Sequence, residues 1–138
     1  MATSMQGRCL CGDVALTLEV DERHAEGCHC RMCLRWGGGP LFVAHGTRLT
    51  FDNEAAVMRY RSSDWAERGF CKRCGTHLFY RLLDADYQAV PVGVLEDDGD
   101  WVLTQQIHID AKPNYYSLAE ETSRLTGAEI EAQHTGNT

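Results

Sequence analysis

The sequence predicts a mainly β protein of short antiparallel strands, with helix confined to its C-terminal end. Three observations carry this. Residues 14–20, Val-Ala-Leu-Thr-Leu-Glu-Val, alternate apolar with small or polar side chains, the period of two that half-buries a strand. Short segments rich in Val, Phe, Tyr and Leu then recur between Gly, Asp and Asn. A helical signal appears only from Ser117 onward.

After the first strand, residues 21–27 read as a turn or loop. The Gly-Gly-Gly-Pro run at 37–40 breaks the chain, because neither residue type sustains a regular element. Strands are expected at 40–44, 49–51, 57–61, 68–70, 77–82, 87–95 and 101–109. Pro91 lacks the N–H that a sheet ladder needs, which favours an edge strand or a bulge there. Helices are expected at 117–125 and 127–133. Ser117 would cap the first, with Glu120 three residues on as in a capping box. The end, 134–138, is expected to fray. No repeat or low-complexity tract interrupts the chain, so residues 1–138 read as a single domain.

The formal charge is −7, and the 13 Lys and Arg are scattered. Affinity for nucleic acid comes from clustered basic side chains against phosphates, so this balance argues against that partner. Arg31 and Arg35 form the one local basic pair of interest, and two arginines on a turn are commonly solvated. No apolar run approaches the ~20 residues of a membrane span, and the first residues lack the apolar stretch of a secretory signal. A soluble, cytoplasmic protein with no membrane partner is expected.

The seven cysteines fall in three clusters: Cys9 and Cys11, Cys28, Cys30 and Cys33, Cys71 and Cys74. An odd count without a secretory signal is a poor disulfide framework, whereas close spacing is what shared ligation of one ion requires. Cys9-Leu-Cys11-Gly12 and Cys71-Lys-Arg-Cys74-Gly75 each offer two thiolates followed by a glycine that permits a tight turn. Brought together, these turns make a four-thiolate zinc site. Cys28, Cys30 and Cys33 then remain, and three protein ligands with a vacant fourth position are the arrangement of catalytic zinc. The alternative is that a histidine completes the set: His29, whose place between two ligands points it away, or His77 or His108. His24 and His45 carry no usable signal.

Three thiolates around a divalent zinc leave a net charge of −1, a weaker Lewis acid than three imidazoles would leave. Such a centre suits a soft sulfur donor better than hydroxide, and it lowers the pKa of an incoming thiol. The chemistry indicated is therefore at sulfur.

Gly7-x-Cys9-x-Cys11-Gly12, Cys28-His-Cys30-x-x-Cys33, Tyr60-x-Ser62-Ser63 and Arg68-Gly-Phe-Cys71-x-x-Cys74-Gly-x-x-Leu78, in that order, resemble the glutathione-dependent formaldehyde-activating enzyme family, which includes centromere protein V relatives. Residues 92–98 and 107–113 are similar to two further segments of that family, and the likeness spans about residues 5–120. The resemblance implies a β-tent-like fold of several coiled antiparallel sheets stabilised by zinc. It also implies two zinc ions: a structural one on Cys9, Cys11, Cys71 and Cys74 and a catalytic one on Cys28, Cys30 and Cys33. The implied activity joins glutathione and formaldehyde as S-hydroxymethylglutathione, formally a carbon–sulfur lyase run in reverse. Where many members carry an aromatic residue after Lys-Pro, this chain has Asn114, then Tyr115 and Tyr116, and Glu96 stands where the family often has Asp. Neither departure touches a cysteine; both bear on which thiol fits.

The function expected is a zinc-dependent carbon–sulfur lyase taking a small thiol, glutathione or similar, and a small aldehyde. His108 and Tyr60 are candidates for its general acid. The alternative is a non-enzymatic, zinc-stabilised scaffold for a protein or chromatin partner, or a metal or redox sensor built on the exposed thiols.

Overall fold

Between residues 57 and 82 the sequence pattern passes directly into structure. In the computed structural model, which describes residues 2–136, β5 (Val57–Arg61), β6 (Ala66–Cys71) and β7 (His77–Leu82) form an antiparallel meander. Its register runs from Val57 opposite Cys71 to Arg61 opposite Glu67, and then from Ala66 opposite Leu82 to Gly69 opposite Phe79. The Phe79 ring is fully buried, and a β-carbon on Gly69 would overlap it. Glycine at 69 therefore lets the largest core side chain of the meander lie flat against its neighbour.

The other strands are β1 (Thr3–Arg8), β2 (Ala15–Val20), β3 (His24–Cys28), β4 (Leu41–Phe51), β8 (Gln88–Pro91), β9 (Val102–Ile107) and β10 (Ser123–Leu125). Two helices, α1 (Arg31–Gly37) and α2 (Gly127–Gly136), complete the elements the site depends on. The chain divides into two units: residues up to 23 together with 44–100, and residues 24–43 together with those from 101 on.

In the first unit β1 and β2 pair antiparallel, and β2 pairs in turn with β4 through Leu16 opposite Phe51. The alternation read at 14–20 is the core pattern: Val14, Leu16, Leu18 and Val20 are buried, and the residues between them are half-buried. Each such side chain contributes about 1.5–3 kcal/mol by leaving water. Pro91 closes β8, which lies between β4 and β7 and is no edge strand. The missing N–H is tolerated because the chain leaves the ladder there for a 3-10 turn at Val92–Val94.

The second unit departs from the antiparallel expectation. β3 runs parallel to β9, from His24 opposite Val102 to Cys28 opposite Ile107, and β10 also runs parallel to β9. Residues 24–27, read as loop, are thus strand: their pairing partner lies some 79 residues away and no local pattern announces it. A further helix, α1, begins at the cysteine cluster. It ends at the glycine run, where Gly38 takes a left-handed φ of 82° and donates to the Leu34 carbonyl at 2.8 Å.

Of the two expected C-terminal helices only the second forms. Residues 117–122 have no regular structure and 123–125 are β10. The capping box lies later: Thr126 N–H donates to Glu129 Oε1 at 3.0 Å and Glu129 N–H to Thr126 Oγ1 at 3.1 Å. Of the expected frayed end, 134–136 continue α2 and 137–138 lie outside the described residues. Among the described residues no helix is long and apolar enough to cross a membrane.

Candidate metal centres

The seven thiols gather into two groups, one in each unit: Cys9, Cys11, Cys71 and Cys74 in the first, Cys28, Cys30 and Cys33 in the second. Within each group every ligand atom lies within 4.8 Å of the others.

Two tight turns build the four-thiol group. In the first, Cys9 N–H donates to the Val14 carbonyl at 3.0 Å and Gly12 N–H to the Cys9 carbonyl at 3.1 Å. In the second, Cys71 N–H donates to Thr76 O and Gly75 N–H to Cys71 O, both at 2.9 Å. Gly12 and Gly75 have φ of 86° and 77°, the left-handed conformation their place after the second cysteine demands. Thr76 joins the turns: its hydroxyl accepts from Leu10 N–H at 3.0 Å and lies 3.1 Å from Cys74 Sγ.

The spacing of the sulfurs tests which chemistry they suit. A tetrahedron with about 2.3 Å from metal to sulfur has edges of about 3.8 Å, whereas a disulfide needs about 2.05 Å. Cys9 and Cys11 sulfurs are 3.6 Å apart, and those of Cys11 and Cys71 are 3.7 Å apart. Backbone N–H groups of Val14 and Cys74 point at Cys9 and Cys71 sulfurs at 3.3 and 3.5 Å, and the Val14 contact favours the Cys9 thiolate. Four sulfurs at this spacing fit the donor set of a thiolate-bound zinc.

The three-thiol group grows from the join of β3 and α1. Cys28 ends β3, and the parallel ladder continues one residue further as His29 N–H donates to the Ile107 carbonyl at 3.1 Å. Cys30 stays extended, at φ −63° and ψ 156°, and caps α1 by accepting from Cys33 N–H at 3.3 Å. The first turn of α1 then carries Cys33 back beside the other two. Cys28 and Cys33 are buried, and Cys30 is half-buried.

Crowding makes ionisation in this group uneven. Hydrogen bonds with Cys30 and Cys33 push the Cys28 thiol up, and burial adds to this. The same neighbours, Cys28 and Cys33, pull Cys30 down to about 2, with a smaller contribution from the charge of His108. In the other group the Thr76 hydroxyl chiefly holds Cys74 down to about 5. Cys11 is pushed up to about 12: the Asp13 backbone contact lowers it, but burial and the neighbouring sulfurs outweigh that contact. A cation at the centre of each group is what would let all of its thiols ionise together.

Among the described residues no histidine joins either group. His29 is completely buried and both ring nitrogens are engaged elsewhere: its Nε2–H donates to Gln106 Oε1 at 2.9 Å, and its Nδ1 accepts from the Tyr116 hydroxyl at 2.8 Å. Burial raises the Tyr116 pKa, which keeps that hydroxyl a donor. Gln106 Nε2 donates in turn to Thr122 Oγ1 at 2.9 Å. His77 lies on β7, half-buried. His108 follows β9 with a left-handed φ of 52°. Tyr60 lies on β5 in the other unit and is 63% exposed. Arg31 and Arg35 are exposed on α1, in keeping with the solvated reading. Glu96 forms a surface ion pair with Arg8 at 3.6 Å. Gln106 and Thr122 gave no signal in the sequence, and Tyr116 stood out there only as a departure from the family pattern.

The chain is mainly β and carries, among its described residues, one four-thiol and one three-thiol group, each of which could hold a metal ion. The family model for the glutathione-dependent formaldehyde-activating enzyme matches residues 4–111. An uncharacterized lyase of Schizosaccharomyces pombe is 31% identical over 127 residues, covering 91% of this chain and 93% of that protein. A Podospora anserina protein whose given name places it in the same family is 29% identical over 89 residues, 54% of this chain and 38% of that one. The crystal structure of a Rhodobacter sphaeroides protein shares the fold, with a TM-score of 0.59 at 24% identity over 74% of this chain and 99% of the other. The chain belongs to the glutathione-dependent formaldehyde-activating enzyme family.

Proposed function

We propose that this protein is a zinc-dependent carbon–sulfur lyase that makes or breaks the adduct of a small thiol with a small aldehyde, glutathione and formaldehyde being the first pair to test. The observation that carries the reading is the three-thiol group itself. It forms a group of its own and supplies one sulfur fewer than a closed tetrahedral site needs. The family to which the chain belongs and the lyase name of its S. pombe relative support the same class of reaction. In this reading residues 1–138 act as one domain.

Cys28, Cys30 and Cys33 hold the catalytic zinc, and Cys9, Cys11, Cys71 and Cys74 hold a structural one. Zinc held by these three thiolates would accept a soft sulfur donor and lower the pKa of that thiol. The chain's own part is to fix three negative charges at one point, from the end of a strand and the first turn of a helix. In the forward reaction the substrate sulfur attacks the carbonyl carbon, a carbon–sulfur bond forms, and the carbonyl oxygen takes up the proton the thiol gave. No electron is transferred. Of the two acid candidates, His108 belongs to the same unit as the three-thiol group and directly follows β9, the strand paired with β3.

The test is exchange of carbon-13 formaldehyde with its glutathione adduct, followed by NMR at protein concentrations far below the thiol. The parent should accelerate exchange above the uncatalysed rate, and Cys30→Ser should abolish the acceleration while remaining folded. A parent rate equal to background across a panel of thiols and aldehydes would set the lyase reading aside and favour a zinc-stabilised scaffold.

A further inference from the structure

We infer that His29 is a positioning residue for the three-thiol group, held by Gln106 and Tyr116 so that Cys28 and Cys30 present their sulfurs to one point. The inference rests on the reading of that group as a metal site. His29 is the residue between two candidate ligands, and the backbone from Cys28 to Cys30 is extended. Successive side chains of an extended chain point to opposite faces, so the imidazole and the two flanking sulfurs are linked like the two ends of a lever. Any roll of this segment about its own axis moves both thiols, and the imidazole is what resists it.

The imidazole is held unusually well for a group that binds nothing itself. It is completely buried, and both ring nitrogens have partners within 2.9 Å. The partners are themselves fixed. Gln106 is buried, lies on β9 directly beside β3, and has its amide held by Thr122. Tyr116 is held by the loop that carries it: the Lys112 ammonium donates to the carbonyls of Pro113 and Tyr116 and lies 4.4 Å from the centre of the Tyr116 ring. Lys112 and Tyr116 thus act as a strap from the end of β9 to the back of the cysteine segment. Tyr116 is where that strap reaches His29. Residues that orient ligands from behind commonly change metal affinity by about 10–100-fold when altered.

The experiment uses the full-length protein loaded with zinc and measures the affinity of each ion by competition with a chromophoric chelator. Tyr116→Phe removes a single hydroxyl and leaves His29 Nδ1 without its donor. It should weaken the second ion about 10–100-fold while leaving the four-thiol ion unchanged. Thr122→Val, acting through Gln106, should weaken the same ion by less, and Tyr115→Phe, on the exposed neighbouring ring, should change neither. A merely structural role would lower thermal stability without this selectivity. Two ions in the parent and an unshifted second affinity in folded Tyr116→Phe would overturn the inference alone. A parent that takes up only one ion would overturn the metal-site reading beneath it, and the inference with it.

Discussion

The sulfurs of Cys11 and Cys71 lie 3.7 Å apart although 60 residues separate them in the chain. Neither turn could hold a cation alone, and Thr76 fixes one turn against the other. A structural zinc can supply about 10–16 kcal/mol, as much as the roughly 5–15 kcal/mol that holds a whole domain folded. Cys74→Ser should therefore give unfolded or insoluble protein. Cys30→Ser should remain folded, with near-parental circular dichroism and one zinc fewer by elemental analysis. Equal melting of both variants and the parent would show that neither group holds the fold.

Zinc content provides an independent measure. Protein purified without chelator should carry two ions per chain, and the three-thiol group should lose its ion first on mild chelation, because an open site is more weakly closed off from solvent and competitor. A ceiling of one ion after zinc reconstitution would defeat the division of the thiols into four and three.

Gly69 faces Phe79 across β6 and β7 with no room for a β-carbon, whereas Gly39 has open space around it. Gly69→Ala should cost about 1–3 kcal/mol by overpacking. Gly39→Ala should stay within about 0.5 kcal/mol of the parent. Urea midpoints at constant slope check this, and equal midpoints would mean the meander can yield at Phe79.

Burial, and then the charge of Arg68, hold the His77 imidazole below its ordinary value of 6.5. The folded state thus resists a proton that the unfolded chain accepts. Its contribution is present above the unfolded value and is lost as pH falls from there toward the folded one. Between about pH 7.5 and 5.5, His77→Gln should lose less stability than the parent. Identical pH slopes would show that His77 is not desolvated. Zinc loss at low pH affects both proteins and cancels in the comparison.

Local patterning revealed what local chemistry determines. β5 and β7 occur at the expected residues, because alternating Val, Tyr and Leu between turn formers need only their hairpin neighbours. The grouping of the cysteines was legible for a related reason: ligands two and three residues apart can serve one ion only through tight turns, and their glycines provide them. β3 was not legible, since His-Ala-Glu-Gly-Cys becomes strand by pairing with the distant β9. α1, seven residues long, is too short to show helical periodicity and starts from a cysteine cap. Ser117 and Glu120 have the spacing of a capping box but no helix behind them; Thr126 and Glu129 have both. The His29 network was hidden because its members, at 29, 106, 116 and 122, meet only after β3 and β9 pair.

The central claim is that the three-thiol group has a place for the sulfur of a substrate. Cobalt in place of zinc reports this directly, because its sulfur-to-metal charge-transfer band grows with each thiolate it gains. The four-thiol group should give a constant background. Glutathione should raise the band at the second ion, S-methylglutathione should not, and the response should weaken at low pH as the thiol keeps its proton. A thiol and its S-methyl ether that perturb the spectrum alike, or a response that survives Cys28→Ala, would contradict the account.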